Sequence, residues 1–174
     1  MIEYTVRDYN DGSKAWYVDD KLHRLDGPAI ESSDGYKSWY VDDKLHRLDG
    51  PAIVRADGHK EWFKHGKRHR EDGPAVEYTR GGKEWWFDGL RHRLDGPAVE
   101  YPDGYKRWYV DGLLHREDGP AIEYADGEKQ WYLKGVQLTE AEFNARHPQP
   151  CTDSLDGKIV TIDGNEYKLI KIGE

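Results

Sequence analysis

From Asp11 onward the chain alternates short apolar-aromatic runs with turn residues at one fixed interval. In residues 103–125, DGYKRWYVDGLLHREDGPAIEYA, an Asp-Gly turn leads into Lys-x-Trp-Tyr-Val, a second turn at Asp111-Gly112, a returning Leu-Leu-His-Arg, and then Asp-Gly-Pro-Ala-Ile-Glu-Tyr. Trp16, Trp39, Trp62, Trp85, Trp108 and Trp131 stand 23 residues apart without an insertion or deletion. A constant period of this length marks stacked supersecondary units, each packed on its neighbours. Period-two alternation places Trp108 and Val110 on one face of a strand and Arg107 and Tyr109 on the other. The X-Gly dipeptides His65-Gly66, Asp88-Gly89, Asp111-Gly112 and Lys134-Gly135 lie between strand-like runs. They predict tight hairpin turns, because glycine accepts the positive φ that a right-twisted hairpin requires. Asp19-Asp20 and Asp42-Asp43 occupy those places in the first two copies. In Asp-Gly-Pro the proline removes a backbone donor, so the second arm of each hairpin is predicted to bend or bulge there.

The pattern predicts an all-β fold: an elongated, twisted antiparallel sheet of stacked β-hairpins with a short C-terminal helix cap and a final hairpin. Two strands per copy at a spacing of ~4.8 Å give about 10 Å per copy. Residues 1–10 read as an N-terminal cap strand, and 11–146 as the array, with five full copies and a capping sixth. The sixth copy replaces His-Arg-x-Asp-Gly-Pro with QLTEAEFNARHP, where Thr139 and Glu142 form a capping-box pattern and Pro148 stops the helix. Residues 147–157 read as a linker and 158–174 as a C-terminal hairpin turning at Asp163-Gly164, through which two copies of the chain could associate.

Composition changes this picture little. Mean hydropathy is −1.00, yet 13% of residues are aromatic, which suits a thin sheet covered by large flat side chains. The net charge of −8 argues against DNA and anionic membrane as partners. A single cysteine, Cys151, cannot close an internal disulfide, and no apolar run resembles a leader or a membrane span, so the chain reads as soluble and cytoplasmic.

The candidate chemistry lies in the repeated His-Arg-x-Asp cluster and the aromatic residue after each tryptophan. His46-Arg47, His69-Arg70, His92-Arg93 and His115-Arg116, with Tyr40, Phe63, Trp86 and Tyr109, form the candidate binding set. Histidine can shuttle protons and arginine can fork onto a carboxylate or phosphate. An active site, however, is rarely built five times. The structural alternative has Asp26, Asp49, Asp72, Asp95 and Asp118 capping their turns while the arginines form ladders between copies. The six repeat tryptophans are the expected structural spine, stacked in register. The following aromatics, with Lys14, Lys37, Lys60, Lys83, Lys106 and Lys129, could instead form stacking platforms for bases beside cations for phosphates. No metal site is expected, since equivalent histidines about 10 Å apart cannot share one ion. No cofactor motif is present.

The core Tyr109-Val110-Asp111-Gly112-Leu113-Leu114-His115 resembles a divergent MORN repeat, with Arg-x-Asp-Gly-Pro where MORN repeats carry Gly-x-Gly after the histidine. More closely, Trp-Tyr-x-x-Gly-x-x-His-Arg-x-Asp-Gly-Pro-Ala arrays that end in Leu-Thr-Glu-x-Glu-Phe resemble a repeat family of bacteriophages and large viruses. The resemblance covers about residues 11–146 and implies binding rather than turnover. It implies a phage-encoded, non-enzymatic protein in the host cytoplasm that engages a host protein, with counter-defence inhibition as the expected outcome. Sequestration of a small nucleotide immune signal is the alternative, and hydrolysis by one His-Arg-Asp cluster the remote one.

Overall fold

The computed structural model describes residues 3–146, 159–162 and 165–168. The chain divides into two units, 1–139 and 140–174.

The first unit is the array, built on a 14-stranded antiparallel sheet accompanied by a row of two-stranded hairpins. Each full copy gives the sheet two short segments. In the fifth copy these are Lys106–Arg107 and Ile122–Glu123, and the first pairs both with the second and with Val99–Glu100 of the preceding copy. The turn between copies is closed by backbone bonds from Tyr101 N–H to the Tyr105 carbonyl (2.9 Å) and from Gly104 N–H to the Tyr101 carbonyl (3.1 Å). The Asp103 carboxylate accepts the Tyr105 N–H at 3.0 Å, the local bond that makes aspartate a turn residue.

Between its two sheet segments each copy makes the predicted tight hairpin, in the fifth copy Tyr109–Val110 against Leu113–Leu114. Asp111 and Gly112 have φ of 50° and 78°, the left-handed pair of a primed turn. Where glycine is missing, Asp43 takes φ 61°. Its carboxylate accepts the Leu22 N–H of the preceding hairpin at 2.7 Å, a bond that glycine could not make.

The sequence predicts one hairpin per copy with a bent second arm. From the second to the fifth copy the structure interrupts both arms, and the chain thereby passes from the sheet to the hairpin row and back, whereas in the first copy Lys14–Val18 runs unbroken. The tryptophan is the outward crossing. Trp108 N–H donates to the Ala121 carbonyl (2.9 Å), and the Trp108 carbonyl accepts the His115 N–H (3.1 Å). Ala29, Ala52, Ala75, Ala98 and Ala121 are all 0% exposed, so the return crossing through Pro-Ala has room for a methyl group and nothing larger. The hairpins are joined to one another by a main-chain bond from each arginine to the next copy, such as Arg93 N–H to the Tyr109 carbonyl at 3.1 Å.

Alternation gives the sheet two unlike faces. One carries a cross-strand Lys–Glu ladder, with Lys83 opposite both Glu77 and Glu100, and Lys106 opposite both Glu100 and Glu123. The other carries Ile30, Ile53, Val76, Val99 and Ile122 in alternation with Ala15, Ser38, Glu61, Glu84 and Arg107. Thr5–Asp8 pairs antiparallel with Lys14–Val18 at the N-terminal end of the sheet.

In the second unit, α1 (Glu140–Arg146) begins immediately after Thr139, where the capping box predicts it, and buries Phe143. Ile159–Ile162 and Asn165–Lys168 pair antiparallel. The predicted linker 147–157 and the turn at Asp163-Gly164 lie outside the described residues.

Candidate binding surface

Arginine appears in two rows, one for each face of the array. The first row is the predicted His-Arg set. The Arg93 guanidinium stacks on the Trp85 ring at 3.9 Å, and the same stacking recurs for Arg24, Arg47, Arg70 and Arg116 on Trp16, Trp39, Trp62 and Trp108 at 3.9 to 4.1 Å. Arg93 Nε donates to Asp95 at 2.9 Å, while Nη1 donates to the Pro97 carbonyl at 3.2 Å and to Glu100 at 2.9 Å. A Cβ on Gly96 would lie 3.0 Å from the Arg93 Cζ, which explains glycine after this aspartate. The motif Arg-x-Asp-Gly-Pro is therefore a clamp: cation, counter-ion, a flat place to lie, and a carbonyl left over by the bend. Hydrogen bonds from Arg47, Arg70, Arg93 and Arg116 hold the carboxyls of Asp49, Asp72, Asp95 and Asp118 below the usual range.

Two expectations are corrected here. The arginines do not build ladders between copies, because every clamp partner named above belongs to the arginine's own copy. The tryptophan rings do not form a buried spine of indole on indole. They are half-buried, and each of the first five carries its own guanidinium.

Histidine makes the joint between copies instead. His23, His69 and His92 place Nδ1 2.9 Å from the carboxylates of Asp42, Asp88 and Asp111, each in the next hairpin. The backbone N–H of the same aspartate also reaches Nδ1, at 3.4, 3.2 and 3.2 Å, and at His46 and His115 the backbone N–H of His65 (3.0 Å) and Lys134 (3.1 Å) takes that place without a carboxylate. Nδ1 must there be the bare acceptor. Burial first, then the nearby His65 and Lys64, pushes the His46 imidazole below its ordinary value.

Between successive clamps the tryptophan face opens into clefts of about 610, 760 and 620 Å3, at Trp62, Trp85 and Trp108. Their arginines already hold carboxylates through Nε, and Arg70, Arg93 and Arg116 hold a second through Nη1. Such a lining has little cationic charge left for a phosphate.

The second row lies on the opposite face and changes from copy to copy. Arg68 binds Glu61 through Nε at 2.9 Å and Nη2 at 2.8 Å, with His59 Nε2 2.9 Å from the other carboxylate oxygen. Burial pushes the Glu61 carboxyl up, but the bonds from His59 and Arg68 outweigh it and hold it below the usual range. Glu84, only 4% exposed, accepts from Tyr78 Oη (3.0 Å), Trp86 Nε1 (2.9 Å) and Arg91 Nε (3.2 Å). Burial, followed by that carboxylate, raises the Tyr78 phenol. Arg107 takes the same place in the fifth copy and stacks on Tyr105 at 4.8 Å. Beside this row, the rings of His59, Tyr78, Tyr101, Tyr105 and Tyr124 follow one another with centroids 5.2, 6.0, 6.0 and 5.5 Å apart.

The chain matches no family model and no curated protein.

The candidate binding set is thus divided between the faces. His46, His69, His92 and His115 sit in the joints, and Arg47, Arg70, Arg93 and Arg116 in the clamps. Tyr40, Phe63, Trp86 and Tyr109 belong to the other face, in the alternation that also holds Arg68, Arg91 and Arg107. The lysines proposed as phosphate contacts lie in the Lys–Glu ladder rather than beside those aromatics. Glu61, Glu84, Arg68, Arg91, Arg107 and the tyrosine row escaped the sequence reading. Their signal was present as departure from the repeat: these positions change while Trp, His, Arg and Asp-Gly-Pro do not. Among the described residues no group of three or more His, Cys, Asp or Glu is placed to hold a metal ion.

Proposed function

We propose that the protein is a non-enzymatic binding protein that engages a partner protein through the copy-variable face of its sheet. The observation that carries this reading is the division of labour between the faces. Residues repeated in every full copy are consumed by clamps, crossings and joints, whereas the opposite face varies and is rich in Tyr, Trp and Arg. Those three residue types dominate the energetics of protein interfaces, because they combine a large apolar area with a polar tip. At the sheet position before the tryptophan Ser38, Glu61 and Glu84 are buried, so the contact falls to the half-exposed rings Tyr78, Tyr101, Tyr105 and Tyr124 and to Arg107. Following the resemblance to viral repeat proteins, the partner is a host protein, and inhibition of a host defence factor is the consequence to look for.

The test is capture from host lysate with the parent and with a Tyr78→Ser/Tyr101→Ser variant, while both are followed by thermal melting. The parent should retain one protein and the folded variant should lose it. Equal capture by both would remove this face from the function. A rise in melting temperature with a nucleotide, in place of protein capture, would establish the sequestering alternative, since a ligand of the folded state stabilises it by mass action.

A further inference from the structure

We infer that Arg107 is a receptor for a carboxylate carried on an apolar or aromatic stem, presented by the partner protein. This rests on the reading of the variable face as the contact surface. The argument begins with the column to which Arg107 belongs. In the third and fourth copies the sheet position before the tryptophan is a buried glutamate, and the arginine that answers it comes from the hairpin, Arg68 for Glu61 and Arg91 for Glu84. In the fifth copy the sheet position is the cation, Arg107, and the hairpin position is Leu114. The pair is therefore not reversed. It is left half-built.

The local geometry agrees. Arg107 stands opposite Val99 and Ile122 in the sheet, neither of which can accept a hydrogen bond through its side chain. The Tyr109 side chain lies beside the guanidinium, but among the described residues the buried Nε has no hydrogen-bond partner and no carboxylate lies within ion-pair distance. Leaving a buried donor of a charged group unsatisfied is costly, and an arriving acceptor would recover that cost. The surroundings select the kind of acceptor. The Tyr105 ring supports the guanidinium from one side at 4.8 Å, and Tyr105 continues into Tyr101 and Tyr124 at 6.0 and 5.5 Å. A planar carboxylate fits the planar fork of arginine. An apolar stem attached to it would lie along the tyrosines and exclude water from the ion pair. A fully hydrated anion would gain the charge and lose the rest.

The charge complementarity is specific to one copy, which sets the register of the partner on an otherwise repetitive surface. The clamps cannot compete for the acid, since each of their arginines already holds at least one carboxylate.

The experiment uses phenylpropionate as probe, its neutral isostere phenylpropionamide, and inorganic phosphate, titrated into the full chain while the arginine Nε–H and tyrosine ring NMR signals are followed. Phenylpropionate should shift the Arg107 and Tyr105 signals, with the amide and phosphate each binding about tenfold or more weakly. Arg107→Gln, with an unchanged melting temperature, should abolish the response. Equal response to the amide would overturn the assignment, as would equal response to phosphate, persistence in Arg107→Gln, or no shift by phenylpropionate. Lysate capture separates this inference from the reading beneath it. If Arg107→Gln still captures the partner while Tyr78→Ser/Tyr101→Ser does not, the acid receptor is wrong and the contact face stands. If both variants capture it, both are wrong.

Discussion

Arg93 and Arg107 stand 14 residues apart in the chain and both lie against an aromatic ring, at 3.9 and 4.8 Å, yet one is closed and the other open. Arg93 has an aspartate, a glutamate and a carbonyl within its own copy, and the same set recurs around Arg24, Arg70 and Arg116. Arg107 has tyrosines around it, Tyr105 under the guanidinium and Tyr109 beside it, but among the described residues no carboxylate, and no other copy has an arginine in its place. The difference separates two uses of one residue type. Where a repeat keeps a charged residue in every copy, its partners are found inside the copy and the residue holds the scaffold. Where one copy departs, the partner can be missing, as it is for the buried Nε of Arg107 among the described residues.

The comparison breaks most severely at the ring beneath the clamp. Trp85→Ala removes a half-buried indole and the platform of Arg93, and should cost about 3 kcal/mol in urea unfolding. Trp131→Ala should cost less than about half of that, because Thr139 occupies the clamp position of the sixth copy and among the described residues no guanidinium rests on this ring. Equal losses would show that the clamp adds nothing to the tryptophan.

The arginines themselves give the next largest contrast. Arg93→Met keeps the stem and strands Glu100 beside the Pro97 carbonyl, for an expected loss of about 2 kcal/mol. Arg107→Met removes a cation that has no carboxylate among the described residues and should change stability by no more than about 0.5 kcal/mol in either direction. A large loss at Arg107 would mean that its environment is closed after all. Within the variable face, Glu84→Gln should cost about 1 to 2 kcal/mol, because the amide has one acceptor oxygen, and its NH2 would face a donor now bound by the carboxylate. Arg91→Met in that background should then cost little more, the signature of a shared interaction in a double-mutant cycle.

The smallest effect is the one that pH resolves. The His46 pKa is depressed below 6.5 in the fold, so the folded chain takes up this proton less readily than the unfolded chain. Its contribution to stability is complete above pH 6.5 and is lost as pH falls through the folded value. The clamp carboxyls Asp72 and Asp95 are depressed below 3.8, so their contribution survives that first step and is lost only as pH falls below 3.8. Stability measured against pH should fall in two separated steps, and His46→Asn should remove the upper one alone. Persistence of the upper step would assign it to another histidine.

Much of the array was written locally and could be read without a structure. The period of the tryptophans, the alternation from Lys106 to Val110, the X-Gly turns, and the helix after Thr139 each depend on neighbours within a few residues, and each appears where the pattern places it. Asp-Gly-Pro was legible as a bend for the same reason. What the bend accomplishes was not. Whether the chain stays in the sheet or crosses to a second row depends on Ala121 closing against the main chain of Trp108, thirteen residues earlier in the sequence. That crossing brings Glu123 to Arg116 and Arg91 to Glu84, and it sends the histidine side chain rather than the arginine side chain to the joint with the next copy. Sequence alone fixes which charges exist and how often they recur. Which of them meet is a matter of distances across the fold, and a charge left over, as at Arg107, becomes visible only when every other charge around it has been paired.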